Sequence, residues 1–310
     1  MTRPDHRRHV WGEAPDGTPL TFPVIRFEGG PGPHALFTGG IHGDEFEGPL
    51  ALLDLARTLE TLPVKGTITI IPVANTQALA SATRLSPLDS VNLARSFPGD
   101  RHGGPTARLA ASLFAFLDDV DLLFDCHAGG VELCFLPVAG FYAEGAGVTA
   151  ATAAASRSLA TATGLPDLWE LPPTGGVLSN EAARRGIPVT GCEIGGRGYA
   201  RPSDVALYHD AFLRTLAHAG ILGSAARPSS PQPRILSGNW SLAPSSGLFR
   251  PLVALGAAVK AGETIARIEA VDGQTAVPLV AQRDGIVMAE RNLCRVRSGD
   301  LATLVAEVAR

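Results

Sequence analysis

The sequence predicts an α/β fold: a mixed, mostly parallel sheet flanked by helices, closed at its C-terminal end by a small β-barrel-like domain. Three observations carry this expectation. Short apolar runs alternate with longer amphipathic ones through residue 220, the pattern of strands and helices around a largely parallel sheet. The stretch ILGSAARPSSPQPRILSG, 221–238, then concentrates Ser, Pro and Gly, as linkers do. Beyond it the runs are short, alternating and broken by Gly and Asp-Gly, which suits a small antiparallel sheet. The boundaries that follow are 1–222 for the α/β domain, 223–234 for the linker and 235–310 for the small β domain.

In chain order, strands are expected at TFPVIRF (21–27), HALFTGG (34–40), TITIIPVAN (67–75), VDLLFDCH (120–127), LCFLPVAG (133–140) and IPVTGCEI (187–194). Each is rich in Val, Ile or Phe, and most stop at Gly, Asn or a polar residue. Helices are expected over FEGPLALLDLARTLETL, PTARLAASLFAFLDDV, GVTAATAAASRSLATATG and PSDVALYHDAFLRTLAHAG. The second and fourth of these carry apolar residues at three- and four-residue spacing and open on Pro and Ser start signals.

Composition narrows the function classes. At 310 residues the chain can bury a sizeable core and still carry an appendage. A net charge of −4 leaves no electrostatic footprint for nucleic acid or an anionic membrane. The N-terminal MTRPDHRRHVWGEAPDG lacks the apolar core of a signal peptide. No run approaches the roughly 18 apolar residues of a membrane span. Four cysteines (Cys126, Cys134, Cys192, Cys294) form no CxxC pair, which argues against a disulfide framework or a zinc ribbon. A cytoplasmic protein is expected.

The candidate site gathers at strand ends. In GGIHGDEFEG, His42 and Glu45 fall between an expected strand and an expected helix, where ligands collect in open α/β sheets. They would point the same way once the first helical turn forms. A lone HxxE is better explained by polar residues on a surface turn. FDCHAGG ends a second strand at His127, and two histidines with one carboxylate make a common catalytic zinc set; in that company a ligand outweighs a capped strand end. Asp125, two residues earlier on the same strand face, suits a role orienting a ligating imidazole. IPVTGCEIGG ends a third strand at Glu193, a carboxylate able to move protons beside a metal, or simply a surface acid. The glycines at these strand ends are expected to let backbone approach metal or substrate closely. The loop RLSPLDSVNLARSFPGD carries Arg84, Asn92 and Arg95; its arginines suit a carboxylate or an oxyanion, or belong to a solvated loop.

The other histidines find no motif. His6, His9, His34 and His102 lie in loop-like stretches, and His209 and His218 in an amphipathic helix. By strand alternation Cys126 and Cys192 should face the core, so thiol catalysis is not expected.

HGDE, NLxRxFPG, DxHxGG and ExGG, in that order, resemble the succinylglutamate desuccinylase and aspartoacylase family of the zinc carboxypeptidase clan. The wording RLSP…NLARSFPG is similar to that of bacterial deacylases of N-acetyl-diaminobutyrate. The resemblance implies a zinc carboxypeptidase-like fold, one zinc ion held by His42, Glu45 and His127, and Glu193 as general base and acid. It further implies that Arg84 supports the polarised carbonyl and that Arg95 grips the substrate carboxylate, with Asn92 nearby. Ala94 departs from the pattern, standing where the family has Asn. The C-terminal segment is similar to biotinyl and lipoyl domains, yet Lys260 lies in VKAGE rather than at the VDGQ turn, so no carrier lysine is expected. Together these imply a hydrolase of amino-acid metabolism that removes the acyl group from a small N-acyl amino acid, with homo-oligomeric assembly left open. A carboxypeptidase-like enzyme on short peptides and a retired zinc or amino-acid binding protein are the alternatives.

Overall fold

A computed structural model describes residues 3–223 and 232–309. Residues 224–231, which hold most of the linker expected at 223–234, lie outside the described residues. The first part contains β1 (Asp5–Glu13), β2 (Pro19–Glu28), β3 (His34–Thr38), α1 (Glu47–Leu59), β4 (Thr67–Ile71), α2 (Thr76–Ser81), α3 (Pro105–Phe114) and β5 (Leu122–His127). It continues with β6 (Leu133–Phe141), α4 (Ala150–Ala162), β7 (Asp167–Glu170), α5 (Leu178–Arg184), β8 (Val189–Gly196) and α6 (Pro202–His218). The expected strands are β2, β3, β4, β5, β6 and β8, and the expected helices are α1, α3, α4 and α6.

Four elements were not expected. Strand β1, DHRRHVWGE, is a polar, largely exposed edge strand, so it lacks the apolar alternation that marks a half-buried one. It places His6 and His9 in a strand rather than a loop, and His34 opens β3. Strand β7 and helices α2 and α5 span only four, six and seven residues, too short for a periodic signal.

Strand alternation sorts the core into two layers. Phe37 of β3 and Phe124 of β5 stack 5.5 Å apart on one face, where Phe212 of α6 meets both edge-on. Leu36 and Leu123, their immediate neighbours, bury on the other face with Leu109 and Leu113 of α3. Each such burial is worth about 1.5–3 kcal/mol. Helices α1, α4 and α6 therefore cover one side of the sheet, and α3 and α5 the other.

The second part holds β9 (Arg234–Leu242), β10 (Gly247–Pro251), β11 (Ala258–Val259), β12 (Thr264–Glu269), β13 (Ala276–Val280), β14 (Gly285–Arg291), β15 (Arg295–Val296) and β16 (Leu301–Val308). The main sheet runs β1-β2-β4-β3-β5-β8-β6-β7-β9-β16-β14-β11, and β14 also pairs with β6. The strands β6, β7, β9, β16 and β14 thus close on themselves as a five-stranded barrel filled by Phe135, Val138, Leu236, Met288 and Leu304. Two of these strands precede residue 222 and three follow residue 233. A four-stranded sheet, β13-β12-β10-β15, completes this end with its own small core around Phe249 and Ile268.

The sheet is mixed, but the expectation of mostly parallel pairing needs correction. Parallel order runs unbroken only through β4-β3-β5-β8 and again through β6-β7-β9. Connection length explains the rest. A parallel return needs a crossover of about a dozen residues or more. The turns after β1 and β5 span only 14–18 and 128–132, so β2 and β6 run back antiparallel. Among the described residues, no helix is long and apolar enough to cross a membrane.

Candidate active site

The parallel centre delivers its strand ends to one place. His127 closes β5 and lies directly across from Glu193 on β8. His42 and Glu45 arrive on the connection from β3 to α1, held by a tight turn before the helix rather than by its first turn. Backbone contacts fix that turn. Gly43 N–H donates to the Thr83 carbonyl (2.9 Å), and Asp44 Oδ2 accepts from Val131 N–H (3.0 Å).

Two glycines around the site are required by close packing within the chain. A Cβ on Gly43 would fall 2.0 Å from the Ala78 carbonyl carbon. Gly195 adopts φ +76°, where a side chain is strained, and a Cβ there would press on Asp204 and Glu47.

Glu45 is the hub of the cluster. Its Oε1 lies 2.7 Å from His42 Nδ1, and its Oε2 lies 3.1 Å from His127 Nδ1 and accepts from Ala128 N–H at 3.1 Å. One ligand atom from each of His42, Glu45 and His127 lies within 4.8 Å of the others. The opposite ring nitrogens are also engaged. His42 Nε2 lies 3.1 Å from Asn92 Oδ1, and His127 Nε2 lies 3.3 Å from Asp125 Oδ2, whose other oxygen accepts from Thr38 Oγ1 at 2.6 Å. Since Asn92 Oδ1 and Asp125 Oδ2 are acceptors, each imidazole would carry its proton on Nε2 and present its Nδ1 lone pair inward with a cation at the cluster.

Charge follows the same layout. Burial pushes His42 down to about 4, so its lone pair is free at neutral pH. Burial alone would lower His127 too, but the Asp125 and Glu45 carboxylates outweigh it and raise it. Burial would raise Glu45, yet the two histidines hold it well below the usual carboxylate range. Arg84 is drawn in as well, with Nη1 3.1 Å from Glu45 Oε1 and 3.3 Å from His42 Nδ1. Two inward imidazole nitrogens and one carboxylate, with a cation already standing beside them, fit a divalent ion such as Zn²⁺.

Glu193 stands apart from this network. Its Oε2 is buried without a hydrogen-bond partner. Burial, together with the Glu45 and Asp125 charges and against those of His127 and Arg84, pushes it up to about 8. Behind it, the Tyr208 hydroxyl of α6 accepts from His127 N–H and donates to the Cys192 carbonyl at 2.8 Å, also touching the His127 carbonyl. Tyr208 thereby ties β5 to β8 at the height of the site. Cys126 and Cys192 pack into the helix-side core as expected.

His42, Arg84, Arg95, His127 and Glu193 share one cavity of about 230 Å³. Arg95 donates to the Ala94 carbonyl at 2.7 Å, and among the described residues no carboxylate pairs with it. Asn92 turns its Oδ1 to His42 and to Ala94 N–H instead of lining this cavity. The far wall comes from β7, β9 and the segment after β7: Trp169, Leu171, Pro172, Asn239 and Trp240. The sequence assigned no role to any of these wall residues, nor to Tyr142, Ser179 or Tyr208.

Residues 31–219 match the model of the succinylglutamate desuccinylase/aspartoacylase catalytic domain. The chain is 34% identical to the N-alpha-acetyl-L-2,4-diaminobutyric acid deacetylase of Halomonas elongata, over 93% of this chain and 86% of that relative. It is 31% identical to the product-bound ectoine utilization protein EutE (DoeB) of Ruegeria pomeroyi, with a TM-score of 0.89 over 98% and 95% of the two chains. A succinylglutamate desuccinylase/aspartoacylase structure from Rhodobacter sphaeroides is similar at 30% identity and a TM-score of 0.89, covering 100% of this chain and 96% of its own.

Proposed function

We propose, from the premise that this chain belongs to the succinylglutamate desuccinylase/aspartoacylase family, that it is a zinc-dependent hydrolase. Its reaction is removal of the acyl group from the amine of a small N-acyl amino acid. His42, Glu45 and His127 would hold one Zn²⁺, with Asn92 and Asp125 orienting the two imidazoles. Such an ion supplies a Lewis acid that lowers the pKa of water and polarises a carbonyl.

The observation that carries this proposal is the partnerless, buried Oε2 of Glu193 beside the three-donor cluster. A carboxylate left without a partner has the lone pair needed to take a proton from the attacking water. Once protonated, it can return that proton to the departing amine. Arg84 lines the same cavity and is the donor for oxygen as charge develops on the acyl carbonyl. Arg95, without a carboxylate of its own, is the anchor for the substrate carboxylate. The proposal includes a cytoplasmic location, supported by four unpaired cysteines.

Glu193→Gln tests the enzymatic role. Amine release should fall by roughly 10²–10⁴-fold while bound zinc stays at one equivalent. Unchanged turnover would remove Glu193 from the mechanism, and absence of turnover in the zinc-loaded wild type would favour a binding protein.

A further inference from the structure

We propose that the amino acid released at this site carries an uncharged, apolar side chain, unlike the ammonium of diaminobutyrate or the second carboxylate of aspartate. This rests on the deacylase reading and names its substrate class.

The cavity's charges are already committed. Among the described residues, its lining includes no aspartate, and its one glutamate is Glu193, needed for proton transfer. Glu45 and Asp125 face the two histidines. A cationic side chain seated here would therefore lie beside Arg84 and Arg95 with no carboxylate to pair with. Burying an unpaired charge is costly. A second carboxylate fares little better, because Arg84 serves the acyl carbonyl in the proposed reaction and Arg95 remains as the single anchor.

What remains of the wall carries no charge: beside the neutral polar groups of Tyr142, Thr174, Ser179 and Asn239, its larger surfaces are apolar. The indoles of Trp169 and Trp240 are both braced by Phe135, at ring distances of 6.3 and 5.7 Å. Leu171 and Pro172 extend the same surface. Ala94, buried against the cavity, adds a methyl group and no hydrogen-bonding side chain. With the carboxylate on Arg95 and the acyl carbonyl at the histidine cluster, the side chain is left facing these rings, which suit leucine or phenylalanine.

The test is kcat/KM of zinc-loaded protein on N-acetyl-L-phenylalanine, N-acetyl-L-leucine, Nα-acetyl-L-2,4-diaminobutyrate, N-acetyl-L-aspartate and N-hexanoylglycine. The two apolar amino acids should exceed the two charged ones by roughly 100-fold. Calorimetric binding to Glu193→Gln protein should give the same order without turnover. Thr174→Asp, which sets a carboxylate in the cavity from a loop, should narrow the gap to diaminobutyrate about tenfold; an unmoved ratio would overturn the charge argument. Equal or faster cleavage of a charged substrate would overturn the inference and leave the deacylase reading standing. Preference for N-hexanoylglycine would overturn it too, by seating the acyl chain against the indoles. No release from any substrate with zinc bound would overturn the deacylase reading and the inference with it.

Discussion

The two sides of the cavity are built in opposite ways. On the histidine side every polar atom that matters is held by another: Glu45 by two imidazoles and a backbone N–H, His42 by Asn92, and His127 by Asp125 and through it Thr38. On the opposite side, among the described residues, Arg95 bonds a neighbouring backbone carbonyl and no carboxylate, and the wall sets indole, Leu and Pro beside Thr174, Ser179 and Asn239. Between the two, Glu193 keeps a buried oxygen without a hydrogen-bond partner. A side whose partners lie within the chain is organised before any ligand arrives; a side without them is completed by the ligand. The first is the proposed metal site and the second the proposed substrate surface.

Breaking the organised side should have the largest effect. Glu45→Ala removes a ligand and leaves Arg84 and two imidazoles without their carboxylate, so zinc content and amine release should both fall below detection. Asp125→Asn and Asn92→Ala leave the three ligands in place and loosen their orientation. Each should weaken zinc affinity by roughly 10–100-fold, measured by competition with a chromogenic chelator, while activity at saturating zinc falls less. On the other side, Trp240→Ala should raise KM for the preferred substrate by about tenfold and leave zinc affinity unchanged. If it weakened zinc binding as much as Asp125→Asn does, the two sides would not be separable.

The smallest effect concerns Glu193 in metal-stripped protein. Its folded pKa of about 8 lies above the ordinary 4.5, so the fold binds this proton more tightly than the unfolded chain does. The resulting stability is fully present below pH 4.5 and is lost as pH rises to 8. Stripped wild type should therefore lose several degrees of melting temperature between pH 5 and 8 relative to Glu193→Gln. Parallel pH profiles for the two proteins would remove the burial argument.

The organised side was largely legible in the sequence, because its residues end strands whose apolar runs are visible. His127 and Glu193 become neighbours simply because β5 and β8 are parallel and in register. Asp125 was readable through period-two alternation. Asn92 was not, because its side chain is set by a short 3₁₀ turn over Leu93–Arg95 and not by a strand.

The substrate wall left no such signal. Trp169 and Trp240 lie 71 positions apart in the sequence and share this wall because β7 pairs with β9 and both rings pack on Phe135 of β6. Such long-range pairing carries no periodic signature. Tyr208 was hidden similarly: within an amphipathic helix its ring reads as core, and only the fold brings its hydroxyl to the β5 and β8 backbones.

The central claim is that the His42, Glu45 and His127 cluster is a catalytic zinc site, and stepwise reloading tests it most directly. Protein stripped with chelator would be titrated with Zn²⁺ while amine release from an N-acetyl amino acid is followed. Activity that is absent in stripped protein, rises with zinc and saturates at one equivalent is the expected result. Hydrolysis that persists after stripping, or zinc bound at one equivalent with no hydrolysis of any N-acyl amino acid, would contradict it.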